Sequence, residues 1–159
     1  MSLTTHGTSI ALLLILALQA LLQIPLDVRQ RVLSRQVTLV SFLTSLIAVS
    51  LSAVINRDWT QIARPLVASS TIVAIYYVIH TVSPKSLGFG DVLLVAPITL
   101  AVAYLDMRQV FHWQLIATTF GTLHGTVLRF RNLSPILPFG PHLLVAAIIT
   151  MTIEMSFRE

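Results

Sequence analysis

The chain has 159 residues, 55% of them hydrophobic and only 10% charged, with a mean hydropathy of +0.86. A soluble domain carries about 25% charged residues to keep its surface wet, so the composition excludes an ordinary water-soluble globule and suits one membrane-embedded unit over residues 1–159. The net charge of +4 is spread over the short gaps between apolar runs, which argues for topology signals and against a nucleic-acid surface; with no cysteine, disulfides, thiolate nucleophiles and cysteine-based metal sites are excluded.

Six apolar stretches follow one another, and they predict an all-α bundle of six transmembrane helices. The first covers residues 9–26, with no charged side chain before Asp27, so a retained helix is expected rather than a signal peptide with a basic head. The second covers 37–55 and the third 65–82. The fourth runs from Asp91 to Leu105, the fifth covers 110–128, and the sixth covers 142–153 behind Pro135, Pro138 and Pro141.

The connecting loops hold nearly all the charge. Arg29, Arg31, Arg35, Lys85, Arg129 and Arg131 fall in the odd-numbered loops, against Arg57, Arg64, Arg108 and Arg158 on the other side. That bias of six to four puts the odd loops in the cytoplasm and both termini outside. Under any six-helix topology Asp27, opening loop one, and Asp91, closing loop three, share a face.

Asp91 ends the string Leu87-Gly88-Phe89-Gly90-Asp91. The 14 apolar residues after it make only about 21 Å of helix, so spanning a bilayer recruits the preceding residues and draws the carboxyl inside the boundary, where an ionisable group is costly and serves a function by default. The alternative is helix capping, a common use of Asp at a helix start. Asp27 lies in Pro25-Leu26-Asp27-Val28-Arg29-Gln30-Arg31, where pairing with Arg29 or Arg31 is the plainer reading. Two boundary carboxylates on one face are nonetheless what an aspartyl peptidase needs. One deprotonates water while the other, protonated, polarises the scissile carbonyl.

Three blocks carry a family resemblance. Asp27 leads a basic loop into the second helix, Gly88-Phe89-Gly90-Asp91 follows 64 residues later, and Pro138-Phe139-Gly140-Pro141 precedes the last helix. In this order the chain resembles the type IV prepilin leader peptidases and the related archaeal preflagellin peptidases, which are Gly-x-Gly-Asp aspartyl proteases. The resemblance implies Asp27 and Asp91 as the catalytic pair, Gly88, Phe89 and Gly90 as motif backbone, and Pro138, Phe139, Gly140 and Pro141 as a supporting loop. It implies a prepilin-like precursor as partner, cut at the cytoplasmic face of the cell membrane, with no cofactor and no metal. Ser34, Arg35 and Leu93 stand where the family usually has Pro, Asn or Asp, and Lys. The cysteine pairs that longer members carry, linked with N-methylation, have no counterpart here.

Helix dipoles add an expectation. Asp91 at a helix start is favoured as the ionised base, and Asp27 behind a helix end as the proton holder. His80, His112 and His124 lack metal-ligand spacing and suit ordinary polar contacts. Gly121 and Gly125 suit helix packing, and Ser69, Ser70 and Thr71 are expected to hydrogen-bond between helices. Trp59 and Trp113 suit interfacial anchoring. The competing functional classes are a proton- or cation-coupled transporter subunit and a non-catalytic scaffold.

Overall fold

The computed structural model describes residues 3–30, 33–82, 87–131 and 139–158. They form six helices: α1 (Leu3–Gln30), α2 (Arg35–Asn56), α3 (Thr60–Val82), α4 (Phe89–Leu105), α5 (Met107–Phe130) and α6 (Gly140–Ser156). There is no strand among the described residues.

Helix boundaries follow backbone chemistry more than hydropathy. Ser34 starts α2 with its hydroxyl accepting the Val37 N–H at 3.4 Å, a cap that satisfies one of the helix's unused donors. Asp58 does the same ahead of α3, accepting from Thr60 N at 3.0 Å, so that helix begins five residues before Pro65. Helix α1 continues through Pro25 to Gln30. Proline removes one donor, but the residues that follow are helix-compatible, and the start of the charged stretch marks an end of hydropathy rather than of hydrogen bonding. Asp27 therefore lies inside the last turn of α1, not beyond it.

Helix α4 is the axle of the bundle and packs against all five other helices. Its sequence is apolar on every side, and Val92, Leu94, Val95, Ile98, Leu100, Ala101 and Val102 are all at most 2% exposed. A helix apolar all round has to be enclosed. At 17 residues it is about 25 Å long, and α6 has the same length.

The outside is oily and the inside partly polar. Leu14, Leu18, Leu21, Leu39, Leu43, Ile47, Leu51, Val67 and Val78 are exposed, whereas Ser9, Gln19, Gln23, Ser45, Ser52, Thr99 and Thr150 are buried. In water so large an apolar surface would aggregate; against lipid it is the expected arrangement, with polar side chains turned to neighbouring helices. Helices α1, α2 and α3 are long and apolar enough to cross a membrane. Helices α4 and α6 are shorter, and α5, though 24 residues long, carries more polar positions.

The two ends of the bundle are defined by contacts. At one end Thr4 of α1 donates to Asn56 at the close of α2 (2.7 Å), Tyr104 near the end of α4 bonds Ser52 (2.6 Å), and Arg158 behind α6 meets Asp106 between α4 and α5 (3.5 Å). At the other end the close of α1 meets the starts of α4 and α6. Of the three hydroxyl residues expected to bond between helices, Ser69 bridges α3 to the Ala96 carbonyl of α4 at 3.0 Å, whereas Thr71 turns back to the Val67 carbonyl of its own helix at 2.8 Å and Ser70 is exposed. Trp113 departs from its expected interfacial place. It is fully buried, with its indole N–H donated to the Leu143 carbonyl at 2.9 Å, because α6 offers both an apolar wall and an acceptor. Trp59 is 68% exposed in the turn between α2 and α3.

Candidate active site

Asp91 is the third residue of α4. Gly88 precedes the helix in an extended conformation, and its N–H donates to Asp91 Oδ2 at 3.3 Å. This is the acidic half of a capping box; glycine has no side chain to return the bond. The capping role anticipated for Asp91 is thus real, and it occupies one carboxyl oxygen on one side. The side chain is 8% exposed.

The loop that delivers Asp91 is pinned from three directions. His80 at the end of α3 places its Nδ1 2.8 Å from the Leu87 carbonyl. Its ring lies 5.7 Å from that of Phe89, and the Arg35 guanidinium sits 5.9 Å from the same ring on a different helix. Phe89, the variable position of the Gly-x-Gly-Asp string, thereby ties the head of α4 to α2 and α3. Such a cation–π contact at a partly exposed site contributes roughly 0.5–1 kcal/mol.

Asp27 approaches from α1 and is 6% exposed. A Cβ added to Gly140 would stand 2.9 Å from Asp27 Oδ2, and 3.2 Å from both Leu33 methyl carbons. A Cβ added to Gly90 would stand 3.1 Å from Leu33 Cβ and Cδ1. Leu33 is therefore wedged between the glycine preceding Asp91 and the glycine facing Asp27. The two glycines permit this convergence by lacking a side chain. The segments that carry the two carboxyl groups thus converge on Leu33. Neither carboxyl forms an ion pair among the described residues.

The structure thus brings Asp27, Gly88, Phe89, Gly90, Asp91 and Gly140 to one end of the bundle. Phe139 supports the site from behind, its ring packed on Gly121 of α5, and Pro141 stands in the first turn of α6, where a missing N–H costs nothing. Of the Gly121/Gly125 pair, only Gly121 is packed; Gly125 has open space around it. Pro138 and Arg31 lie outside the described residues, as does the side chain of Arg29, so the anticipated pairing of Asp27 with those arginines does too.

One expectation changes. The assignment of the proton to Asp27 rested on its place behind a helix end. Asp27 Oδ2 also lies against Gly140, the first residue of α6, whose positive dipole end faces it. Asp27 therefore stands in the last turn of α1 and against the start of α6 at once, and opposing dipole ends meet there.

Two features escaped the sequence reading. Leu33 gave no signal beyond being apolar. Gln19 and Gln23 did: with Asp27 they recur every fourth residue in an otherwise apolar run, which puts all three on one helix face. Gln23 donates to Thr38 Oγ1 at 2.9 Å and to the Ser34 carbonyl at 3.4 Å.

Beside Pro141 a groove of about 440 Å³ runs between α5 and α6, walled by Phe120, Leu123, Val127 and Val145. His124 and His142 border it, their ring nitrogens 3.1 Å apart. No cluster of three metal-ligating side chains occurs among the described residues. No protein-family model, curated protein or solved structure matches the chain.

Proposed function

We propose that the protein is a multi-pass membrane aspartyl endopeptidase of the prepilin-peptidase kind, in which Asp27 and Asp91 activate water against a peptide bond. All six helices then traverse the cell membrane, and the Asp27–Asp91 end faces the cytoplasm, as the loop charges suggest. The observation that carries the reading is the convergence of two buried carboxyl groups, 64 residues apart in sequence, at one end of a bundle whose exterior is apolar. Burying two acids at one end of a bundle is costly, and a proton kept on one of them is the simplest way to relieve it.

In the reaction one carboxylate takes a proton from water as the oxygen attacks the scissile carbonyl carbon. The other carboxyl gives its proton to the carbonyl oxygen. As the gem-diol collapses, the C–N bond breaks, the departing nitrogen takes up a proton from the pair, and one gem-diol hydroxyl returns its proton to the pair. Gly88, extended and without a side chain beside Asp91 Oδ2, suits the approach of an extended peptide backbone. The apolar groove beside Pro141 would take the apolar helix of a prepilin-like precursor, leaving its basic leader at the cytoplasmic surface.

Co-expression with a candidate precursor tests the reading. Replacing either aspartate singly, Asp27→Asn or Asp91→Asn, is expected to abolish the mobility shift of cleavage, a loss of at least about 10²-fold for a general acid or base. A scaffold would keep its assembly phenotype with either replacement. A transporter subunit would lose flux with no precursor accumulating.

A further inference from the structure

The face of α1 that ends in Asp27 is polar to the middle of the bundle and poorly satisfied. Gln19 is 1% exposed and Gln23 fully buried. Both side-chain polar atoms of Gln19, together with Gln23 Oε1 and Asp27 Oδ2, have no hydrogen-bond partner among the described residues. The neighbouring helices repeat the pattern: Ser45 Oγ on α2 and Thr99 Oγ1 on α4 are buried without partners, and α1, α2 and α4 pack on one another.

The depths agree. Gln19 lies eight residues before Asp27 and Thr99 eight after Asp91, so each is about 12 Å from its aspartate along its helix axis. Protein interiors do not leave this many polar atoms unpaired, because each one forfeits its hydration. A water needs only about 10–15 Å³ and two to four polar partners.

We propose that the Gln19–Gln23–Asp27 face binds a file of internal water ending on Asp27. Gln19 accepts and donates at its inner end, Gln23 Oε1 accepts along the way, and Asp27 Oδ2 terminates it. The presence of this water stands apart from the peptidase function; its use as the attacking nucleophile rests on that reading. Hydrolysis consumes one water per bond, and two aspartates less than 10% exposed need a route by which the next one arrives.

X-ray hydroxyl-radical footprinting of the substrate-free protein in lipid nanodiscs tests the file, since radicals formed from internal water label adjacent side chains however deeply they are buried. Leu16 is fully buried and lies one turn from Gln19 on the same face; Trp113 is equally buried, against α6. The expected result is labelling of Leu16, corrected for intrinsic reactivity, several-fold above that of Trp113. Gln19→Leu lowers the Leu16 signal to the Trp113 level, and Gln19→Ser retains it. Equal labelling of Leu16 and Trp113 in the unsubstituted protein overturns the proposal, and that comparison decides it even if Gln19→Leu fails to fold. Precursor cleavage is scored separately, so labelled Leu16 without cleavage removes the peptidase and leaves the water, whereas cleavage with unlabelled Leu16 does the reverse.

Discussion

Gly140 is the floor on which Asp27 rests: a methyl group at position 140 would come within 2.9 Å of Asp27 Oδ2. No real Cβ tolerates that approach, so either the carboxyl or the head of α6 has to move. Gly140→Ala is expected to cost about 1–3 kcal/mol of stability through overpacking. Under the proposed peptidase function its effect on precursor cleavage is larger, because a misplacement of about 1 Å in a catalytic group can cost roughly 10²-fold. Thermal melting and single-turnover cleavage of the same preparation separate the two effects. A Gly140→Ala variant that cleaves at the original rate removes Asp27 from the chemistry.

Behind that contact stands a second one. The Phe139 ring packs on Gly121, where an added Cβ would meet Phe139 Cε2 at 2.7 Å. Gly121→Ala is expected to lower the melting temperature, and Phe139→Leu in the same chain to recover part of the loss by clearing the space. Contacting residues of this kind commonly couple by about 0.5–3 kcal/mol, so a double-mutant cycle closing within error of zero would show that the α6 head is not held through this pair. Gly125→Ala, with nothing near its added Cβ, serves as the control, and its higher helix propensity makes it neutral or mildly stabilising.

The helices were legible in the sequence because apolar runs and interrupting charges mark them directly. Their ends were less so: capping by Ser34 and Asp58 and the passage of α1 through Pro25 depend on local hydrogen bonds that hydropathy does not see. The shared face of Asp27 and Asp91 was readable from helix parity alone. Leu33, which fills the space between Gly90 and Gly140, was not, since a leucine in a loop carries no pattern. Trp113 misled because an aromatic near a helix start suits either an interface or a core, and only the Leu143 carbonyl decides between them. The Gln19–Gln23–Asp27 spacing lay in plain view, hidden by attention to charged residues.

The turn between α2 and α3 carries a pH-sensitive cap. Hydrogen bonds from the Thr60 hydroxyl and backbone N–H hold the Asp58 carboxyl below its ordinary range, with Gln61 and Arg64 adding to the effect. A depressed folded-state value means the carboxylate's contribution to stability is complete above the unfolded value of 3.8 and is lost as pH falls through the folded value. Melting curves in acid are expected to show this loss in the parent and a smaller one in Thr60→Val, which keeps the backbone bond and loses the hydroxyl. Equal acid sensitivity in the two proteins would place the effect elsewhere.

At the end of the bundle away from the aspartates, Ser52 gathers three helices. Its hydroxyl lies 2.6 Å from the Tyr104 hydroxyl and 3.0 Å from Gln61 Oε1, and it accepts from Asn56 Nδ2 at 3.1 Å. It is 2% exposed. Ser52→Ala strips a partner from each of these groups; Asn56 and Gln61 keep their bond to each other at 3.2 Å, so the main cost falls on the Tyr104 hydroxyl, at about 1–3 kcal/mol for a polar atom left unpaired. Tyr104→Phe removes only one hydroxyl and is expected to cost about 1 kcal/mol, the net worth of a typical hydrogen bond. Because this network braces the end opposite Asp27 and Asp91, both variants should lose thermal stability and, under the proposed peptidase function, cleave precursor at the parent's rate per folded molecule. A drop in that rate in step with the stability loss would mean that the two ends of the bundle are mechanically coupled through α4, the helix on which Tyr104 and Asp91 both stand.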